Sequence, residues 1–442
     1  MRHVDLAITA AFVIPVEPTG VLDGHTVLVD AGRIVAVVPP AVAARDYLPR
    51  SRVDLPRHAL LPGLVNAHTH AAMSLMRGIA DDLHLEEWLR DQIWPREGRF
   101  VTPEFVQDGV LLAAHEMLTG GITCCNDMYF YPEAAARAYQ AAGMRAVLGL
   151  PVLDFPTPYA SDGDGYLQAG LAARDAFKHA PRLSWMIAPH APYTVGDATF
   201  GKIVTFARQL DLPIQTHLQE TKSELATALA ASGESPLARL DRLGATGPGF
   251  VAIHAVHLAP GDLDRLAAQG CSVVHCPASN MKLASGIAPV CELAAGGVNL
   301  ALGTDGAASN NRLDLFGEMR LASLLAKVAS GDAASLPAAD VLRMATLGGA
   351  RALSLDERIG SIVVGKEADL VAVDMGELAD APVYDPISHL VHVTSRERVT
   401  DVWVGGERIV RERRLTTIDG AALAGRVRLW QQKLAHTPRT DP

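Results

Sequence analysis

The sequence predicts an α/β protein in which a parallel eight-stranded barrel is flanked by β-rich termini. Three observations carry this. Between residues 60 and 306, eight apolar runs of strand length alternate with helix-period segments. Several of those helical segments stop at glycine, as in "FVQDGVLLAAHEMLTGG" and "PEAAARAYQAAG". No G-x-G-x-x-G follows the first run, which argues against an open dinucleotide-binding sheet. Together these point to a (β/α)8 TIM barrel.

Taken in order, the strand-like runs are "LLPGLVNAHTH" (60–70), "ITCCNDM" (122–128), "MRAVLGL" (144–150), "LSWMIAPH" (183–190), "LPIQTHLQE" (212–220), "FVAIHAVH" (250–257), "CSVVHCP" (271–277) and "NLALGTD" (299–305). Before them "TVLVDAGRIVAVVPP" reads as short strands and turns, and "GSIVVGKEADLVAVD" and "VTDVWVGGERIV" return to that texture after residue 360. We therefore expect a small discontinuous β-sandwich domain from residues 1–58 and 360–442, around a barrel spanning 59–359. The tail "HTPRTDP" (436–442) is expected to fray.

The chain has 442 residues, 49% hydrophobic and 20% charged, with a formal net charge of −10. That balance suits a packed enzyme and repels nucleic-acid phosphates. Five cysteines without a C-x-x-C spacing fit reduced thiols in a cytoplasmic protein. "LAITAAFVIPV" (6–16) resembles a leader core, but it follows Asp5, lacks a clean cleavage site and alternates like a strand. No apolar run reaches the length of a membrane span.

Barrel enzymes place their chemistry at the C-terminal ends of the strands. Here the first run ends in His68 and His70, two residues apart and so on one face of a strand. The fourth ends in His190, the fifth in His217 and Glu220, and the eighth in Asp305, while the sixth holds His254. Three imidazoles and a carboxylate suit one divalent metal ion, zinc or ferrous iron, so His68, His70, His217 and Asp305 are the candidate ligands. Water bound to such an ion becomes a nucleophile near neutral pH. Glu220, three residues past His217, is the candidate general acid and base. His257 and His275 are expected to be structural, and His115 an ordinary helix residue.

"PGLVNAHTH", "HLQE", "VHCPASNMKLASGIAPV", "LGTDGAASNN" and "IGSIVVGKEADLVAVD" resemble the amidohydrolase superfamily over nearly the whole chain. Within it the chain resembles the methylthioadenosine/S-adenosylhomocysteine deaminases, with guanine deaminases and chlorotriazine hydrolases as cousins. The resemblance implies the same four metal ligands. It implies that Glu220 shuttles the proton to the purine ring, that His254 orients the attacking water, and that Asp305 also carries its proton to the departing ammonia. It further implies that Glu97, in "WPREGR", holds the ribose hydroxyls and that His190, in "APHAPYT", binds substrate. With no strand-end lysine to be carboxylated, the mononuclear branch fits. The expected partner is a small purine nucleoside, with homodimers or larger homo-oligomers implied by the family. There is one departure. Relatives that accept S-adenosylhomocysteine use arginines after the third strand, whereas residues 148–171, "LGLPVLDFPTPYASDGDGYLQAGL", contain neither arginine nor lysine. A substrate carboxylate would find no bidentate partner there, so 5′-methylthioadenosine is the expected substrate, then adenosine. Guanine deamination and triazine dechlorination are the alternatives on the same scaffold.

Overall fold

A computed structural model describes residues 1–435; the tail expected to fray lies outside them. The first five strands are β1 (Arg2–Val13), β2 (Leu22–Asp23), β3 (Thr26–Asp30), β4 (Arg33–Val38) and β5 (Tyr47–Pro62). Eight parallel strands follow: β6 (Leu64–Thr69), β7 (Ile122–Met128), β8 (Arg145–Val152), β9 (Leu183–Pro189), β10 (Ile214–Leu218), β11 (Phe250–His254), β12 (Ser272–His275) and β13 (Asn299–Leu302). The last four are β14 (Leu370–Asp374), β15 (Val399–Val404), β16 (Glu407–Arg411) and β17 (Arg414–Leu415). Residues 6–13 of the leader-like stretch are part of β1, and Ile14, Pro15 and Val16 follow it.

Strands β6 to β13 pair in sequence order. Their apolar side chains are buried on both faces, which is why the runs read as continuous rather than alternating. Side chains and backbone join the two ends of this sheet: Asp305 N donates to His68 O at 3.0 Å and Thr304 N to Asn66 Oδ1 at 2.9 Å. Gly303 permits that approach, since a Cβ there would lie 2.9 Å from the His68 Cβ. The helix Pro103–Thr119 shows how local signals set the outer layer. Thr102 caps it by accepting from Phe105 N, Phe105, Val106, Val110, Ala113 and Met117 face inward, and Gly120 follows its last residue. Pro132–Ala142 ends, as its sequence predicts, at a left-handed Gly143.

The remaining nine strands form one mixed sheet from both termini, curled over a core that includes Ile8, Val27, Ile34, Leu370 and Trp403. β5 is its hinge piece, parallel to β1 on one side and antiparallel to β14 on the other. Here the structure refines the sequence reading. The run 60–70 is not one strand: Leu60, Leu61 and Pro62 finish β5, and the barrel starts at Leu64. Gly63 makes the transfer, because a Cβ there would fall 2.1 Å from Thr123 Oγ1. The stretch after residue 360 also carries helices. Gly420–Ala435 docks onto the barrel, where Arg426 Nε and Trp430 Nε1 donate to Asp108 at 2.7 and 2.9 Å. Buried Arg145 on β8 pairs with Asp369 at 2.8 Å, tying the barrel to the start of β14. Leaving either charge alone there would cost about 3–5 kcal/mol.

Candidate active site

His68, His70, His217 and Asp305 converge at the C-terminal end of the barrel, with one donor atom of each lying within 4.8 Å of the others. The Asp305 Oδ1 lies 3.4 Å from His68 Nε2 and 3.3 Å from His70 Nε2, and His217 Nε2 lies 3.3 Å from His70 Nε2. Two rings are aimed by the backbone: His70 Nδ1 donates to Met128 O at 2.6 Å and His217 Nδ1 to His190 O at 2.7 Å. That leaves each Nε2 with a lone pair turned inward. His68 is fully buried and neither ring nitrogen has a hydrogen-bond partner. An orphaned imidazole facing a carboxylate and two more imidazoles fits a cation better than it fits a core. Burial holds the His68 ring at a pKa of about 4 and the His217 ring well below its usual range, so both are neutral at pH 7. Burial works against the Asp305 charge, yet the His68 and His70 rings beside it keep its pKa well below the carboxylate range. Ser279 Oγ and Ser309 Oγ donate to its Oδ2 at 2.6 and 2.8 Å, and Gly306 N donates to its Oδ1 at 2.7 Å. The four donors, their spacing and their burial fit a divalent metal ion.

Three site segments leave their strands through left-handed backbone at non-glycine residues: Gln219 (φ 50°), His254 (φ 72°) and Asp305 (φ 60°). Such conformations cost roughly 1–3 kcal/mol each and persist where surrounding contacts impose them. Here they fall just past or at the ends of β10, β11 and β13. His254 Nδ1 donates to Asn280 Oδ1 at 2.9 Å, and its Nε2 lies 3.8 Å from Glu220 Oε2. Burial raises the pKa of Glu220, favouring a protonated carboxyl.

These groups close the inner end of a cavity of about 250 Å³. His190 and Glu97 reach its wall, so all the residues singled out in the sequence come together. Tyr129 donates to Glu97 Oε1 at 2.7 Å, and burial raises the Glu97 pKa to about 7. The outer end is apolar, lined by Trp88, Leu89, Trp94, Leu153, Phe155 and Pro156, and among the described residues no lysine or arginine lines the cavity. Trp88–Ile93 winds as a π-helix, a geometry that recurs beside functional sites. Of the histidines set aside, His257 Nε2 donates to Ser285 O at 2.6 Å, and His275 is buried in β12 without a side-chain partner. Tyr129, Ser279, Asn280, Ser285 and Ser309 were not singled out by chemistry. Ser279, Asn280 and Ser285 lie inside the quoted "CPASNMKLAS", which was the available signal.

Known proteins resemble this chain over nearly its whole length. A 5-methylthioadenosine/S-adenosylhomocysteine deaminase of Teredinibacter turnerae is 44% identical over 98% of each chain. A crystal structure of an adenosine deaminase from Xanthomonas campestris with bound zinc superposes with a TM-score of 0.97 at 48% identity, covering 99% of this chain and 100% of that one. An atrazine chlorohydrolase of Arthrobacter aurescens, solved with zinc, shares the fold at a TM-score of 0.88 but is 23% identical, over 96% of this chain and 100% of its own. Residues 59–409 match the amidohydrolase family, and this chain belongs to it.

Proposed function

We propose that this protein hydrolytically deaminates a 5′-substituted adenosine, 5′-methylthioadenosine before adenosine, giving the inosine analogue and ammonia. The observation that carries the reading is the pairing of a protonatable Glu220 with the His68/His70/His217/Asp305 group at the closed end of a cavity that also holds Glu97 and has no cation. A divalent ion bound there, zinc in this proposal, supplies a Lewis acid that makes water nucleophilic near neutral pH. The residues divide the remaining work. Glu220 donates a proton to the ring nitrogen N1 as water adds at C6. Asp305 accepts a proton from that water and passes it to the amino group, which leaves as ammonia as the C6–N bond breaks, and the remaining hydroxyl proton returns to Glu220 as the C6 carbonyl forms. His254, with Nδ1–H committed to Asn280, turns Nε2 toward the water and holds it in line. Glu97 accepts from the ribose hydroxyls, and His190 borders the same face of the sugar. A bare guanine or triazine ring would leave Glu97 without a ligand partner, so the nucleoside reading is preferred. The apolar mouth suits a methylthio group, and a homocysteine carboxylate meets no guanidinium there. The five free cysteines support a reducing compartment such as the cytoplasm.

The test is loss of adenine absorbance with ammonia release on methylthioadenosine, adenosine and S-adenosylhomocysteine in parallel, with Glu220→Gln as control. Removing a general acid lowers kcat by about 10²–10⁴-fold. Turnover of methylthioadenosine well above S-adenosylhomocysteine, lost in the variant, supports the reading. Equal turnover of the two removes the substrate preference, and undiminished turnover by the variant removes the role of Glu220.

A further inference from the structure

We propose that Glu224 and Ser285 are positioning residues for Glu220, one holding its backbone and the other its carboxyl, so that the proton leaves from a single oxygen. The inference rests on the role given to Glu220 above. Glu224 is the third residue of the helix Lys222–Ser232, whose cap is Thr221. In a capping box, a glutamate at that position reaches back to the amide of the cap residue itself. Here it reaches further. Its Oε2 accepts from Glu220 N at 2.9 Å and its Oε1 from Gln219 N at 2.9 Å. Both oxygens are therefore spent on the two amides that lead out of the left-handed turn at Gln219. That turn is what redirects the chain from the metal-ligand strand β10 to Glu220, and the carboxylate clamps it from the helix side.

Ser285 acts from the opposite side. Its hydroxyl lies 3.1 Å from Glu220 Oε1. The serine is itself fixed, since its N donates to Asn280 O at 2.8 Å and its O accepts from His257 Nε2 at 2.6 Å. With Oε1 engaged by Ser285, the other oxygen, Oε2, is left beside His254, 3.8 Å from its Nε2. A proton carried on Oε2 thus points at the reacting ring, and one carried on Oε1 would point away. Two contacts, on the main chain and on one carboxyl oxygen, remove the freedom of Glu220 to rotate between those states.

The experiment compares Glu224→Gln and Ser285→Ala with Glu220→Gln, measuring kcat and KM on methylthioadenosine, bound metal and Tm. An error of 1 Å in a catalytic group costs about 10²-fold, so each variant is expected to lose roughly ten- to a hundredfold in kcat, with KM and metal content at wild-type levels. Ser285→Ala carries the test if Glu224→Gln fails to fold. A helix cap with no other role predicts a lower Tm with kcat intact for Glu224→Gln. That result, with wild-type kcat for Ser285→Ala, overturns the proposal while Glu220→Gln remains inactive. If Glu220→Gln itself turns over normally, the underlying reading fails first and this proposal falls with it.

Discussion

The two ends of the cavity are built on opposite plans. At the closed end, each proposed reacting group is held by named partners: Asp305 by two hydroxyls and an amide, His254 by an amide oxygen, Glu220 by a hydroxyl, His70 and His217 by backbone carbonyls. At the mouth the walls are proline, aromatic and aliphatic carbon, and Trp94 is 38% exposed while Asp305 is 6%. The contrast teaches that orientation is secured where bonds change, and selection is left to shape and missing charge where they do not. A site of this kind should lose rate when its inner end is altered and change substrate when its outer end is.

The sharpest way to break the comparison is to empty the inner end. Chelation should abolish turnover and lower Tm, because a ligand at a thousand times its Kd stabilises the folded state by about 4 kcal/mol. Re-addition of zinc or ferrous iron, read by activity and Tm together, then identifies the working ion. A Tm unmoved by chelation would show that the four residues are not what the ion holds together. The second probe alters the mouth alone. Phe155→Arg should raise the kcat/KM of S-adenosylhomocysteine relative to methylthioadenosine by about tenfold, since a hydrogen bond to a charged group contributes about 1.5–3 kcal/mol. An equal loss on both substrates would place Phe155 among the groups that set rate. The smallest effect lies midway, at Glu97. With its pKa near 7 it is protonated at acid pH and becomes an acceptor-only carboxylate as pH rises, so KM for the nucleoside should fall through that range. Tyr129→Phe removes the one side-chain hydrogen bond to that carboxyl, and should raise KM about two- to fivefold at constant kcat, the worth of one hydrogen bond. Glu97→Gln should flatten the pH dependence.

The same division decides how much could be read from the sequence. The barrel was legible because parallel strands buried on both faces leave unbroken apolar runs, and because glycines such as Gly143 mark helix ends. The candidate ligands were legible because histidines two residues apart at the end of a strand-like run are expected to share a face. The split at Gly63 was not, since Leu60–Pro62 and Leu64–Thr69 are equally apolar and only the close approach of Thr123 separates them. Nor were the docking helix Gly420–Ala435 and its Asp108 anchor, a contact between residues more than three hundred apart. Tyr129, Asn280, Ser285 and Glu224 escaped a chemical reading because a hydroxyl, an amide or a capping glutamate gains meaning only from what lies opposite it in space.

The transfer at Gly63 also ties the start of the barrel to the end of the chain. β5 pairs with β14, and Gly63 N donates to Asp369 O, so the entry to β6 is braced by residues from the far end of the chain. During synthesis His68 and His70 emerge early, His217 midway, and Asp305 and β14 only toward the end. A nascent chain therefore carries half a cage with no rigid frame behind it. The complete set of four side chains therefore exists only where residues from the first, middle and last thirds of the chain have come together.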